Sequence, residues 1–545
     1  MKHIDPENHG DLMVARIVQI AAIAFALLLA AFILFMNREF YHDDAYITLR
    51  YAKHHIAGLG IVWNPGEYVQ GYTNFLHLIF VSFLGKLGID LVWGSRVVSG
   101  MAYAGLVAVV ALFGIAFRNE RPASLWHLPA IIVATSAPIL VWTLGGLEGV
   151  LFSFLSAGGS LLFLVAMNSS RSHWLYATSG FFLGLSFLTR PDGIVFISVS
   201  CIYLLWLTSQ HKTRVFDLMA FVAGVVSVTL PYIIWQATYY GDVVPNTFYA
   251  KAGAPFWLKL KTGARYVLGY SLHPPFLPFL VLISLFYAFL KRRWSSHLTY
   301  LLLSVTAYIA FVIFIAGGDH MQSFRMMLPI IPLMSGVLAL VLPLVVGLNR
   351  RRTIYSFTIV VLILTSSQIP DRQLNPQRED PASFVGTIVG KYISEKWPAG
   401  SLIALNTAGS TPYYAESNRY VDMLGLNDPT IAKRKIDDIV LRWQTVPGHL
   451  KGDGAYVLSR HPDYIIVGPA EGTISSKPWF LSDFELNNDQ RFLQGYAPFR
   501  VFLDKDGRQI EEGGLPFTYY KKVGVLKRKG PVQQPVPADG AMRRR

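Results

Sequence analysis

Apolar runs of about 20 residues recur through the first 370 positions of this chain, and nothing else in the sequence constrains its fold so tightly. A hydrocarbon core about 30 Å thick takes roughly 20 helical residues to cross. The runs cover 17–36, 97–117, 128–146, 150–167, 174–189, 193–209, 217–237, 275–290, 298–316, 327–347 and 353–369, which predicts a polytopic α-helical membrane protein with about eleven spans. Only 15% of the 545 residues are charged, where soluble domains carry about 25%. The first run exceeds the roughly 7–15 apolar residues of a cleaved signal peptide and reads as an uncleaved anchor.

The net charge of +14 is not a nucleic-acid signature. Residues 1–369 hold 24 Lys and Arg against 14 Asp and Glu, while 370–545 hold 24 against 20. The excess lies in the membrane part, where basic loops set orientation. With the N-terminus inside, Arg118, Arg121, Arg171, Lys212, Arg214, Lys291 to Arg293 and Arg350 to Arg352 all fall on the cytoplasmic side. Thr73–Leu84 is apolar but too short to span, and a crossing there would move every later basic cluster outside. It reads as an interfacial or re-entrant helix in a first outer loop, 37–96.

The polar residues then gather on the outer face, which holds nine of the 14 acids of the membrane part. This part ends at 369. A polar linker follows, and 370–529 reads as a small extracytoplasmic α/β domain. Ser401–Leu405 and Asp463–Val467 pattern as strands, Asn406–Ser410 as a strand-to-helix turn, and Pro429–Trp443 has helical spacing. Residues 530–545 read as a disordered tail. The single cysteine, Cys201, precludes an intramolecular disulfide.

Asp43-Asp44, seven residues beyond the first span, is the strongest chemical signal. Paired acids at a helix start have an ordinary role as caps facing the helix dipole. A carboxylate held beside a bilayer also suits general-base work on a hydroxyl. Arg190, His320 and Arg325 sit at the outer ends of spans. Each alone is explained by an interfacial ion pair, but together they suit a phosphate oxygen. Lys251 stands in an aromatic loop fit for anionic headgroups or an anionic lipid-linked donor. Glu67, Glu148, Asp192, Asn246 and Asp319 are further substrate or metal candidates. No Walker loop, GxSxG elbow, HExxH or CxxC pair occurs, which disfavours ATP-driven transport and zinc-peptidase chemistry.

The order of these motifs resembles the GT-C glycosyltransferases, membrane enzymes that use polyprenyl-phosphate-linked sugars. Asp43-Asp44-Ala45-Tyr46-Ile47-Thr48-Leu49-Arg50-Tyr51-Ala52, Val62-Trp63-Asn64-Pro65-Gly66-Glu67 and Gly71-Tyr72-Thr73-Asn74 are similar to the mycobacterial terminal arabinofuranosyltransferase group. So are Leu147-Glu148, Arg190-Pro191-Asp192-Gly193, Pro245 to Lys251, Gly317 to Met321 and Asp422 to Asp428. The resemblance implies an inverting transfer of a sugar, arabinofuranose in the group's best-known members, to an envelope glycan, lipid or protein acceptor outside a bacterial inner membrane. By carry-over the general base falls on Asp43 or Asp44, with Asp43 favoured, and Arg190, His320 and Arg325 stabilise the leaving phosphate. Some relatives use a divalent cation (Mg, Mn or Ca), which Asp44 or Glu148 would bridge. A lipid-linked sugar flippase or a membrane receptor would share the many spans. The first usually shows repeat halves with polar residues at mid-membrane, and the second needs no acids and cations gathered at one face.

Overall fold

The computed structural model describes residues 6–113, 127–169, 172–292, 294–345 and 350–523. All eleven apolar runs are helical over most of their described length. Among the described residues six helices are long and apolar enough to cross a membrane, or seven if Phe256–Leu272 and Leu277–Leu290, bent by 84°, count as one span. The chain is a multi-pass membrane protein. Arg118, Arg121, Arg171, Arg293 and the tail 530–545 lie outside the described residues.

Close packing of the bundle depends on small residues, as it does where lipid supplies no hydrophobic drive between helices. The Ser172–Thr189 and Val215–Tyr240 helices approach so closely that a Cβ on Gly180 would lie 2.1 Å from the Phe221 carbonyl oxygen. On the facing side, a Cβ on Gly224 would lie 2.0 Å from that of Ala177.

Two expectations need correction. The run 128–146 is not one helix but two, His127–Ala134 and Ala137–Leu144. Backbone groups opened by such a break need partners inside a bilayer. Gln368 supplies them: its Oε1 accepts from the Ala137 N–H at 3.0 Å and its Nε2 donates to the Thr135 carbonyl at 3.2 Å. Helical spacing over Pro429–Trp443 yields only the short helix Pro429–Lys433 and a 3₁₀ turn at Arg442–Thr445. Asp428 caps the former, and the chain leaves helical geometry at Arg434, whose side chain is drawn to Glu485 at 2.8 Å.

The Phe75–Lys86 helix has 12 residues, so it is about 18 Å long, well short of a bilayer core. It packs with the Asp43–Ile56 helix and Leu91–Ala111.

Beyond the linker a mixed sheet forms in the order β2-β1-β3-β6-β4-β5. Its strands are β1 (Leu402–Leu405), β2 (Arg419–Asp422), β3 (Tyr464–Ile465), β4 (Tyr496–Leu503), β5 (Gln509–Ile510) and β6 (Leu515–Lys522). The pairs β1–β2 and β1–β3 are parallel, and the rest are antiparallel. The long β4–β6 pair has no counterpart in the sequence reading, because its exposed positions blur the alternation that marks a strand.

The segment 37–96 is sewn to this sheet domain by buried charge. Arg50, 1% exposed, donates to the carbonyls of Trp63 at 2.8 Å, Asn418 at 3.1 Å and Pro412. Three carbonyl acceptors let a guanidinium be buried without a carboxylate.

Candidate active site

The Asp43–Ile56 helix begins where His42 Nδ1 accepts from the Asp44 N–H at 3.2 Å, so the two acids occupy its first turn. Adjacent residues on a helix point about 100° apart, and this divergence gives them different neighbours. Asp43 turns to the C-terminal domain and accepts from the Ser410 N–H at 2.8 Å and the Ser410 hydroxyl at 2.5 Å. Burial, aided by Asp44 and Asp380, pushes its carboxyl up to about 6 against the pull of Ser410. Asp44 turns to a cleft at the end of the bundle nearest the sheet domain, and its carboxylate has no hydrogen-bond or ion-pair partner among the described residues.

Glu148, Arg190, Lys251 and Arg325 line the same cleft. Glu148 precedes the Gly149–Ala166 helix, after a turn that needs glycine: Gly146 has φ +82°, and a Cβ there would lie 2.4 Å from the Tyr41 ring. Its Oε1 meets Arg190 Nη1 at 2.8 Å and its Oε2 accepts from Asn74 Nδ2 at 3.0 Å. Burial alone would raise its carboxyl, but Arg190 and Arg325 together outweigh that and hold it below the usual range.

Arg190 also grips Asp192 through Nε at 2.9 Å, and Asp192 receives the Tyr308 hydroxyl at 2.6 Å. Arg325 follows two left-handed residues, Ser323 at φ +53° and Phe324 at φ +45°. Such backbone costs of order 1–3 kcal/mol per residue. Here it turns the guanidinium onto Asp319, 2.9 Å away, and over the Trp142 ring. Lys251 has no ion-pair partner among the described residues. The residue is exposed and lines the cleft. Desolvation, then Arg325, lowers its pKa.

The remaining candidates stand elsewhere. His320 sits beside the cleft, with its Nδ1 3.7 Å from Asp319 and its ring centroid 5.0 Å from that of His449. Glu67 is no cleft residue: Arg419 at 3.0 Å, Arg460 at 3.1 Å and Asn64 at 2.9 Å engage it as a tie to the sheet domain. Asn246 is likewise a tie, donating to the Gly425 and Leu426 carbonyls at 2.9 Å. Asp192 and Asp319 act as counter-charges to the two arginines. Sequence reasoning missed Asn74, Thr247, Leu426, Ser410 and His449. Asn74, Thr247 and Leu426 lie in quoted motifs and Ser410 ends the strand-to-helix turn, but no local pattern marks His449.

Asp44 and Glu148, the two carboxylates named as metal candidates, both line the cleft. Both oxygens of Glu148 are engaged, and no group of three His, Cys, Asp or Glu residues gathers among the described residues.

Comparisons with known proteins bear on the fold. A family described as a domain of unknown function (DUF8728) matches residues 374–519. The terminal beta-(1->2)-arabinofuranosyltransferase of Corynebacterium glutamicum is 24% identical over 343 residues, covering 55% of this chain and 48% of that protein. Its namesake in Mycobacterium tuberculosis is 26% identical over 233 residues, covering 40% and 36%. The chain thus spans about half or less of the curated relatives it matches. ArnT from Cupriavidus metallidurans, solved with undecaprenyl phosphate, superposes with TM-score 0.52 at 12% identity over 77% of this chain and 89% of that one. The Archaeoglobus fulgidus oligosaccharyltransferase AglB, in complex with an inhibitory peptide and a dolichol-phosphate, gives 0.53 at 12% over 89% and 73%. The chain has the GT-C fold. In this fold the cleft lies where the segment 37–96, one end of the bundle and the sheet domain meet, since Asp44, Arg190 and Leu426 all line it.

Proposed function

We propose that this protein is an inverting glycosyltransferase that moves a sugar from a polyprenyl-phosphate donor to an envelope glycan. Arabinofuranose is the sugar that the names of its curated relatives favour. One observation carries the reading: the unpartnered carboxylate of Asp44 shares a cleft with Lys251, Arg190 and Arg325.

Asp44 takes the proton of the acceptor hydroxyl. That oxygen attacks the anomeric carbon from the face opposite the phosphate, and the carbon–oxygen bond to phosphate breaks with inversion. The electron pair leaves on the polyprenyl phosphate. Lys251 neutralises it directly, since it has no carboxylate of its own. Arg190 and Arg325 contribute the N–H groups not engaged by Glu148, Asp192 and Asp319. Fixed charges of this kind need no rearrangement during reaction. Asp43 holds the sheet domain in place and does not touch substrate.

In this reading residues 1–369 form the membrane domain with eleven spans, an inside N-terminus and an outward cleft, and 370–529 form the outer domain. Reporter fusions after Arg293 and Arg352 then work only with a cytoplasmic reporter; periplasmic activity at both overturns the orientation. For the activity, the purified full chain is given radiolabelled polyprenyl-phosphate sugar and an oligosaccharide acceptor. Labelled product in the wild type and none in Asp44→Asn is expected. Failure of the wild type to transfer any polyprenyl-linked sugar overturns the proposal.

A further inference from the structure

The loop 446–451 of the sheet domain lies against the cation side of the cleft. A Cβ on Gly448, which has φ +90°, would lie 4.0 Å from Lys251 Cε. One on Gly253, just past Lys251, would lie 3.5 Å from Leu450 and 3.6 Å from Lys451 Nζ. His449 stands between these contacts, braced on Phe480 with ring centroids 5.5 Å apart at 27°. Trp443 at 6.3 Å and His320 at 5.0 Å are its other ring neighbours. Its Nδ1 is buried with no hydrogen-bond partner among the described residues.

An unpaired buried nitrogen weakens a fold unless something else satisfies it. Burial, followed by the nearby His320, pushes the imidazole down to about 4, while Asp44 and Asp319 oppose this and Lys251 adds to it. At neutral pH the ring therefore carries one donor and one acceptor nitrogen, the complement of a sugar hydroxyl. A neutral ring adds no charge to a phosphate already faced by three cations, and its acceptor nitrogen has no use there. His449 also comes from the outer domain, the side from which a glycan arrives.

We infer that His449 binds the acceptor glycan, hydrogen-bonding one of its hydroxyls so that a neighbouring hydroxyl meets Asp44. The inference rests on the transferase reading above. It gives the sheet domain, whose matching family has no assigned function, a direct part in substrate binding.

The test uses the purified full chain with a polyprenyl-phosphate arabinofuranose donor and a synthetic arabinofuranose oligosaccharide. Two rates are followed, transfer to the oligosaccharide and the slow loss of donor to water. His449→Ala should raise the acceptor KM about tenfold, leaving donor KM, donor loss to water and Tm near wild type. His449→Gln, which keeps a donor and an acceptor, should recover part of the acceptor KM. An unchanged acceptor KM in His449→Ala, or an equal fall of both rates, overturns the inference while wild-type transfer keeps the activity standing. No transfer by the wild type overturns both.

Discussion

Asp43 and Ser410 are joined by two hydrogen bonds, 2.8 Å from the Ser410 N–H and 2.5 Å from its hydroxyl, across 367 residues of chain. This contact turns one of two adjacent acids into a structural tie and leaves Asp44 free in the cleft. The sequence motif is one dipeptide, but the two carboxylates have different partners and therefore different expected phenotypes.

Asp44→Asn should lower turnover by about 10²–10⁴, the usual loss for a general base, with Tm unchanged. Asp43→Asn keeps an oxygen for Ser410 and should stay within about tenfold of wild type. Steady-state transfer rates decide; an equally severe loss in both variants would return Asp43 to the reaction centre.

Gly409 leaves no room for a side chain. A Cβ there would lie 2.1 Å from the Asp43 carbonyl oxygen and 2.5 Å from Asp43 Oδ2. Overpacking of this kind typically costs about 1–3 kcal/mol. Gly409→Ala should lower Tm and speed proteolysis between the membrane and sheet domains, whereas Gly495→Ala, which meets nothing within 4 Å, should do neither. Equal proteolysis rates would contradict the docking role.

Removing Arg325 alone would strand the buried Asp319, a loss of about 3–5 kcal/mol unrelated to substrate. The informative variant is Asp319→Asn with Arg325→Gln. It should fold, raise the donor KM and leave the acceptor KM within about twofold. Arg325→Lys in the wild-type background should recover only part of the donor affinity, because an ammonium lacks the planar two-pronged contact. A donor KM at the wild-type value in the double variant would remove Arg325 from phosphate binding.

Asp43 also predicts a pH dependence. Its carboxyl lies near 6 in the folded protein against an ordinary 3.8. Because the folded value is raised, its contribution to stability is fully present below about pH 4 and is lost as pH rises through 6. Two pH units correspond to about 3 kcal/mol at most. The Tm of the wild type should fall relative to Asp43→Asn between pH 5 and 7.5. A constant difference across that window would count against it.

The sequence by itself determined that the chain is a multi-pass helical membrane protein and which residue types line the cleft. Apolar length and the position of basic loops act locally along the chain, and so does the helix-start chemistry of Asp43-Asp44. Even the shortness of Thr73–Leu84 is visible without a structure. What the fold decided were the partners. Glu67 and Asn246 carry the same polar signal as Glu148, yet tertiary contacts make them ties to the sheet domain. Arg190 and Arg325 converge only because separate helices bring them together, each with its counter-charge. His449 has no local signature at all, since a lone imidazole in a polar loop gains meaning only from the groups packed around it. Hydropathy and capping are short-range effects that one stretch of chain can show. Pairing of charges across hundreds of residues depends on how the whole chain packs.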